Sequence, residues 1–334
     1  MNDIQARFKN KIHSITMLRG IACLAICFIH FTGTVESQIL NNIGRLGGYF
    51  IPAFFTISGF IIPFSLDKSK YKLSNYFKFL TKILIRLQPP FIGSLIGIFL
   101  LSAIAQFSEF STSQQIPIFT SNTIYNLFYL VDFTDGYWLN PVYWTLAIEF
   151  QFYIVCGLIF FFINSKNIKV LITVFIILSL SSLLFTDDRF IMHYSAMFLP
   201  GIVLFWYISL KISRYTFLIL IAITFFVAAN AYELSAPISA IASVCFILFV
   251  KTPWKPLIFI GDISYSLYLI HTIVGTDGLI NFMQNYITGE SERIWLMYIS
   301  LPIVIGMAWV FYLIIERPTK KISSSIKYEI KAAD

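Results

Sequence analysis

Runs of about twenty apolar residues recur along this chain, and each is long enough to cross the roughly 30 Å hydrocarbon core of a bilayer as a helix. No other feature narrows the fold so far, because in lipid each backbone polar group must be satisfied by its own helix or by a closed barrel. Ten such runs are read at residues 15–35, 46–66, 88–107, 141–163, 168–185, 190–208, 215–232, 235–251, 258–275 and 294–315. The composition agrees: 57% of the 334 residues are hydrophobic and 12% are charged, against about 25% charged in a soluble domain. The predicted fold class is all-α, a polytopic membrane protein of about ten transmembrane helices. It is read as one domain, 1–334, with a motif-bearing core at 13–320 and a short tail at 321–334.

Charge predicts the orientation. With the N-terminus in the cytoplasm, 20 of the 24 basic residues fall in inside segments, among them Arg7, Lys9, Lys11, Lys68, Lys82, Arg86, Arg317 and Lys331. The outside segments hold Arg45, Arg189 and Arg293, and are otherwise acidic, with Glu36, Glu109, Asp132, Asp187 and Glu290 among them. That asymmetry is the positive-inside pattern, and it puts both termini in the cytoplasm of a cell (inner or plasma) membrane. The net charge of +7 does not indicate nucleic acid, because the basic residues are scattered between apolar runs. The polar start MNDIQARFKNKIHS is followed by an apolar run without a small-residue cleavage site, so that run is read as a span and not a removed signal. Cys23, Cys27, Cys156 and Cys245 sit in apolar runs without C-x-x-C or zinc spacing, so no metal site is expected.

Two connections are long. Residues 67–87, DKSKYKLSNYFKFLTKILIRL, are basic and amphipathic; they read either as a helix on anionic headgroups or as a surface for an anionic ligand. Residues 108–140 form an outer loop whose NTIYNLFYLVDF is apolar enough to dip back toward the bilayer.

Ionisable residues within apolar runs cost free energy in lipid and point to function. Arg19 and His30 are eleven residues apart, a rotation of about 20° beyond three turns and a rise of about 16 Å, so both lie on one helical stripe. Arg19 also reads as a snorkelling end charge, and His30 as an imidazole hydrogen-bonded within the bundle. Glu149, in YWTLAIEFQFY, lies about 12 Å into the fourth run and needs a partner. Tyr265, Tyr268 and His271 recur at i, i+3 and i+6 in GDISYSLYLIH, one potential polar stripe. Ser58–Gly59 reads as a close helix contact or as part of a site, and Arg86 and Arg317 as helix-end anchors or ligand groups. With arginines toward the cytoplasm and His30, Glu149 and His271 deeper, the layout suits a phosphate-bearing ligand gripped by guanidinium groups, with general-base chemistry at its far end.

Six segments in order resemble the acyltransferase-3 family of integral-membrane acyltransferases. They are Arg19 with His30, FFTISGF around Ser58, RLQP from Arg86 to Pro89, WTLAIEFQFY with Trp144 and Glu149, GDISYSLYLIH, and the closing Glu316–Arg317–Pro318. Thr145 stands where the family often has Ser, and Lys78, Lys82 and Arg86 replace a denser arginine run. The resemblance implies a ten-helix enzyme that moves acetyl groups from acetyl-CoA onto hydroxyls of surface or exported carbohydrate, free or lipid-linked. It implies His30 as general base or acyl carrier, with Glu149 orienting it. Arg19, Arg86, Lys82, Ser58 and Arg317 are then expected at the donor, and Trp144, Tyr265, Tyr268 and His271 at or behind the acceptor. The rival reading is a secondary transporter or flippase for a glycan or anionic solute, although no inverted repeat is detectable.

Overall fold

The computed structural model describes residues 12–107, 120–284, 286–287 and 289–328. Arg7, Lys9, Lys11, Glu109 and Lys331 lie outside the described residues. No strand occurs among the described residues, and the chain is a helical bundle. Its helices are α1 (His13–Thr32), α2 (Gln38–Arg45), α3 (Ile51–Lys68), α4 (Tyr76–Phe107), α5 (Ser121–Leu127), α6 (Tyr143–Ile163), α7 (Ile168–Leu184) and α8 (Ile191–Ile208). They continue as α9 (Arg214–Ala231), α10 (Ser235–Phe249), α11 (Lys255–Asp262), α12 (Ser264–Ile270), a π-helical stretch His271–Ile280, α13 (Asn281–Gln284), α14 (Glu290–Phe311), a second π stretch Tyr312–Glu316, and α15 (Arg317–Ser325).

Each of the ten apolar runs falls on a helix. Among the described residues seven helices are long and apolar enough to cross a membrane alone, and the bent pair Lys255–Asp262 and Ser264–Met283 makes an eighth if it counts as one span. The remaining two runs form the shorter apolar helices Ile168–Leu184 and Ser235–Phe249. Connections collect at two opposite ends. At one, Asn164 Nδ2 donates to Asp67 Oδ1 at 2.9 Å and Lys211 Nζ donates to the Asn164 carbonyl at 3.0 Å. At the other, the Ser37 amide donates to Glu290 Oε1 at 2.9 Å and Arg293 pairs with Glu36 at 3.4 Å.

Two features depart from the sequence reading. The basic stretch 67–87 is not a separate surface helix: from Tyr76 it is the first part of α4, which runs 32 residues through Pro89 and Pro90. Arg86 therefore sits ten residues inside a helix rather than at its end. Each proline removes one backbone donor, at the Ile85 and Arg86 carbonyls; next to them the Tyr265 hydroxyl donates to the Leu87 carbonyl at 2.8 Å. In addition, the tail expected from residue 321 stays helical to Ser325, and the Tyr328 ring packs 5.6 Å from Tyr71. Of the outer connection, residues 120–142 do turn back onto the bundle. Gln88 Nε2 donates to the Leu127 carbonyl at 2.8 Å, and the buried Tyr129 ring packs at a tilt 4.9 Å from Phe91.

Glycine sets the closest helix contacts. At the α3–α8 crossing a Cβ on Gly59 would lie 2.1 Å from the Phe198 carbonyl oxygen, and one on Gly201 2.0 Å from that of Thr56. Beside it Thr56 Oγ1 donates to the Met197 carbonyl at 3.0 Å. A second crossing, α1 on α11, puts Gly261 so close that a Cβ would lie 1.8 Å from the Thr16 carbonyl oxygen.

The break between α11 and α12, a bend of 59°, leaves helix-end groups that need partners. Buried Glu316 and its i+4 neighbour Lys320 supply them. Glu316 Oε2 accepts from the Ser266 amide at 3.0 Å and the Ser266 hydroxyl at 2.5 Å, both in the first turn of α12. Lys320 Nζ donates to the Asp262 carbonyl at the end of α11 at 3.1 Å and pairs with Glu316 Oε1 at 2.6 Å.

Gly201→Ala is expected to destabilise the protein by about 1–3 kcal/mol through overpacking. Gly306→Ala, where a Cβ meets nothing within 4 Å, is expected to hold or raise stability by up to about 1 kcal/mol through helix propensity. Thermal unfolding of the two variants in one detergent checks both signs.

Candidate functional site

A narrow cavity of about 170 Å³ lies between α1, α3, α4, α6 and α12. Its wall on α3 extends from Ile51 to Ser65, a helical rise of about 21 Å, so the space is elongated along the bundle. Apolar side chains such as Ile26, Phe54 and Leu146 form most of the surface. Into it project Arg19 from α1, Ser58 from α3, Arg86 from α4, Thr145, Glu149 and Tyr153 from α6, and Tyr265 and Tyr268 from α12.

Glu149 is held rather than free. Its Oε1 accepts from the Ser58 hydroxyl at 2.9 Å and its Oε2 from the Tyr153 hydroxyl at 3.1 Å. Tyr153 is one helical turn further along α6, so helix geometry alone delivers that donor. Ser58 arrives because its neighbour Gly59 faces α8. Consecutive helix residues differ by about 100°, which lets one side chain enter the cavity while the next meets the neighbouring helix.

The guanidinium groups are different. Among the described residues neither Arg19 nor Arg86 makes a hydrogen bond or an ion pair within 4 Å. Glu149 and Glu316 attract Arg19 only from longer range, and Arg86 is near enough to repel it. Two arginines thus face one low-dielectric space without local neutralisation, an arrangement suited to an anion.

The histidines lie at the far end. Ile26 lines the cavity, and His30 is one turn beyond it on the same stripe of α1, outside the cavity wall itself. The His30 ring centroid is 5.1 Å from that of His271, and the Tyr268 ring is 5.8 Å from His271. Tyr268 lines this end of the cavity, its hydroxyl 2.6 Å from Thr145 Oγ1 and donating to the Val142 carbonyl at 3.1 Å. Among the described residues no hydrogen bond joins Glu149 to His30; the partners of Glu149 are Ser58 and Tyr153.

Of the residues expected at a site, Arg19, Arg86, Ser58, Glu149, Tyr265 and Tyr268 come together in the cavity, and His30 with His271 forms a pair just beyond it. Three lie elsewhere. Lys82 is one turn before Arg86, its Nζ 3.5 Å from the Ile326 carbonyl and 5.6 Å from the Tyr328 ring. Arg317 is exposed. Trp144 faces α8, 5.8 Å from the Tyr194 ring, which in turn packs 5.6 Å from cavity-lining Phe55. Sequence reasoning did not single out Tyr153 or Lys320, although each stands four residues after a glutamate, Glu149 or Glu316, a spacing that would have found them.

The model of a protein family described as an acyltransferase domain matches residues 12–313. No curated protein and no solved structure matches this chain.

Ser58→Ala would remove one donor from the half-buried Glu149 carboxyl, and a loss of about 1 kcal/mol in stability is expected. A lowered melting temperature in detergent, with the oligomeric profile unchanged, checks it.

Proposed function

The chain belongs to the acyltransferase-3 family and is a membrane-embedded acyltransferase, and from that premise we propose that it moves an acetyl group from acetyl-CoA to a hydroxyl of a surface or exported carbohydrate. The observation that carries this reading is the pair Arg19 and Arg86, facing one narrow cavity with no anion of the protein within ion-pair reach among the described residues. The donor phosphates bind at these guanidinium groups, where charge-assisted hydrogen bonds are strongest. The thin pantetheine arm then runs along the cavity toward Tyr268. The rise from Arg19 to His30, about 16 Å, sets the length the arm covers.

At that end His30 is the base. The acceptor oxygen attacks the thioester carbonyl carbon while its proton passes to an imidazole nitrogen of His30. The carbon–sulfur bond breaks, the leaving thiolate takes the proton, and the products are the acetyl ester and free CoA. If His30 instead carries the acetyl group transiently, the same proton and sulfur balance holds over two steps. Glu149 serves the donor half: bound to Ser58 and Tyr153, it fixes the cavity wall beside the arginines. Trp144 stands behind the wall through Tyr194 and Phe55.

The basic residues of the sequence supply the orientation: ten spans, both termini cytoplasmic, donor entry from the cytoplasm and acceptor approach from the other face of an inner or plasma membrane. The acceptor is free or lipid-linked carbohydrate.

His30→Ala is expected to abolish acetyl transfer, a fall of at least about 100-fold, with expression and melting temperature retained. Arg19→Ala and Arg86→Ala are expected to raise the KM for acetyl-CoA more than they lower kcat. Acetyl-CoA consumption by protein in lipid nanodiscs, with mass spectrometry of cell glycan, measures both; near-normal activity of His30→Ala would sink the mechanism, and solute flux without acetyl-CoA would favour a transporter.

A further inference from the structure

His271 has no exposed surface, and its Nδ1 lies 2.8 Å from the Tyr268 carbonyl oxygen and 3.2 Å from that of Leu267. Both neighbours are acceptors, so Nδ1 carries the hydrogen and Nε2 is a bare lone pair. That lone pair has no hydrogen-bond partner among the described residues. A buried acceptor without a donor is costly and calls for an explanation. The polar ring beside it is His30, with centroids 5.1 Å apart and ring planes inclined by 57°. His30 makes no hydrogen bond of its own among the described residues, and it is only partly buried.

The backbone brings the two rings together. His271 opens the π-helical stretch His271–Ile280, a wider winding that is found often at functional sites. One turn on, Gly275 lets the stretch lie against α1: a Cβ there would be 2.4 Å from the Phe31 ring. Phe31 follows His30 directly, so the contact fixes the distance between α1 and the π stretch at the level of the imidazole pair.

We propose that His271 is a positioning residue for His30, its Nε2 accepting the ring N–H of His30. The centroid separation of 5.1 Å leaves room for such a bond once the His30 ring turns one nitrogen toward His271. The bond decides which His30 nitrogen holds the hydrogen and leaves the other, as a lone pair, for the acceptor hydroxyl. In a Ser–His–Asp triad a carboxylate has this task. Here a neutral ring performs it, with its own tautomer set by backbone carbonyls, and no charge has to be desolvated. The proposal rests on the reading of His30 as the base.

Two substitutions separate this role from packing. His271→Asn keeps an amide donor near the place of Nδ1, hence the tie to Tyr268, and removes the acceptor. His271→Gln loses that tie and sets an amide oxygen near the place of Nε2. Positioning requires that His271→Asn lose more kcat, about 10–100-fold as for other supporting hydrogen-bond partners, that His271→Gln retain more, and that the KM for acetyl-CoA stay unchanged in both. The reverse order, or full activity of His271→Asn, overturns the proposal. His30→Ala measured alongside separates the two failures: if it is inactive while His271→Asn is normal, only the positioning role falls, whereas an active His30→Ala removes the base itself. Should either His271 variant not fold, 15N spectra of histidine-labelled unsubstituted protein decide. They are expected to show His271 as the Nδ1–H tautomer and His30 in one tautomer; comparable amounts of two His30 tautomers overturn the proposal.

Discussion

A helix that breaks inside an apolar bundle leaves amides and carbonyls that water cannot reach, and each needs a partner within the protein. Between α11 and α12 those partners are Glu316 and Lys320. The carboxylate takes the Ser266 amide and hydroxyl, the ammonium takes the Asp262 carbonyl, and the two charges neutralise each other at 2.6 Å. Everything on α12 is aimed by this junction. Tyr265 reaches across to Leu87, Tyr268 bonds Thr145 at the end of the cavity, and His271 follows at the start of the π stretch. The closing Glu-Arg-Pro segment thus acts from a distance on a wall it does not line, while Arg317 beside it faces outward.

The cavity is polarised along its length. Both arginines and Glu149 lie toward the start of α1, and the imidazole pair lies past Tyr268. In a medium of low dielectric constant such separation matters more than it would in water, because charges interact strongly over longer distances. Glu149, committed to Ser58 and Tyr153, belongs to the arginine half. A triad-like Glu149–His30 unit is therefore not the arrangement of this fold.

Much of this was legible beforehand. Helical period alone put Arg19 and His30 on one stripe, and length and hydropathy located every apolar helix. Partners across helices were less accessible. Spacing gives the direction in which a side chain leaves its own helix and says nothing about what stands opposite, so the Ser58 hydroxyl as a partner of Glu149 was not legible. Proline usually marks a helix start or stop, but α4 continues through Pro89 and Pro90, at the cost of the two amide donors that the Ile85 and Arg86 carbonyls would have met. Lys82 and Arg317 share the charge of Arg86 without its location: a net count of basic residues cannot distinguish a side chain turned inward from one turned to the tail segment or to the outside.

Ser58 and Gly59 are neighbours with opposite obligations. The glycine brings α3 into backbone contact with α8, and the serine hydroxyl meets Glu149 on the other side of the same turn. Because a helix turn is stiff, the two distances cannot be adjusted separately. The fit between two structural rods and the reach of a hydroxyl in the cavity share a single tolerance, so a change that loosens one shifts the other by the same fraction of an ångström.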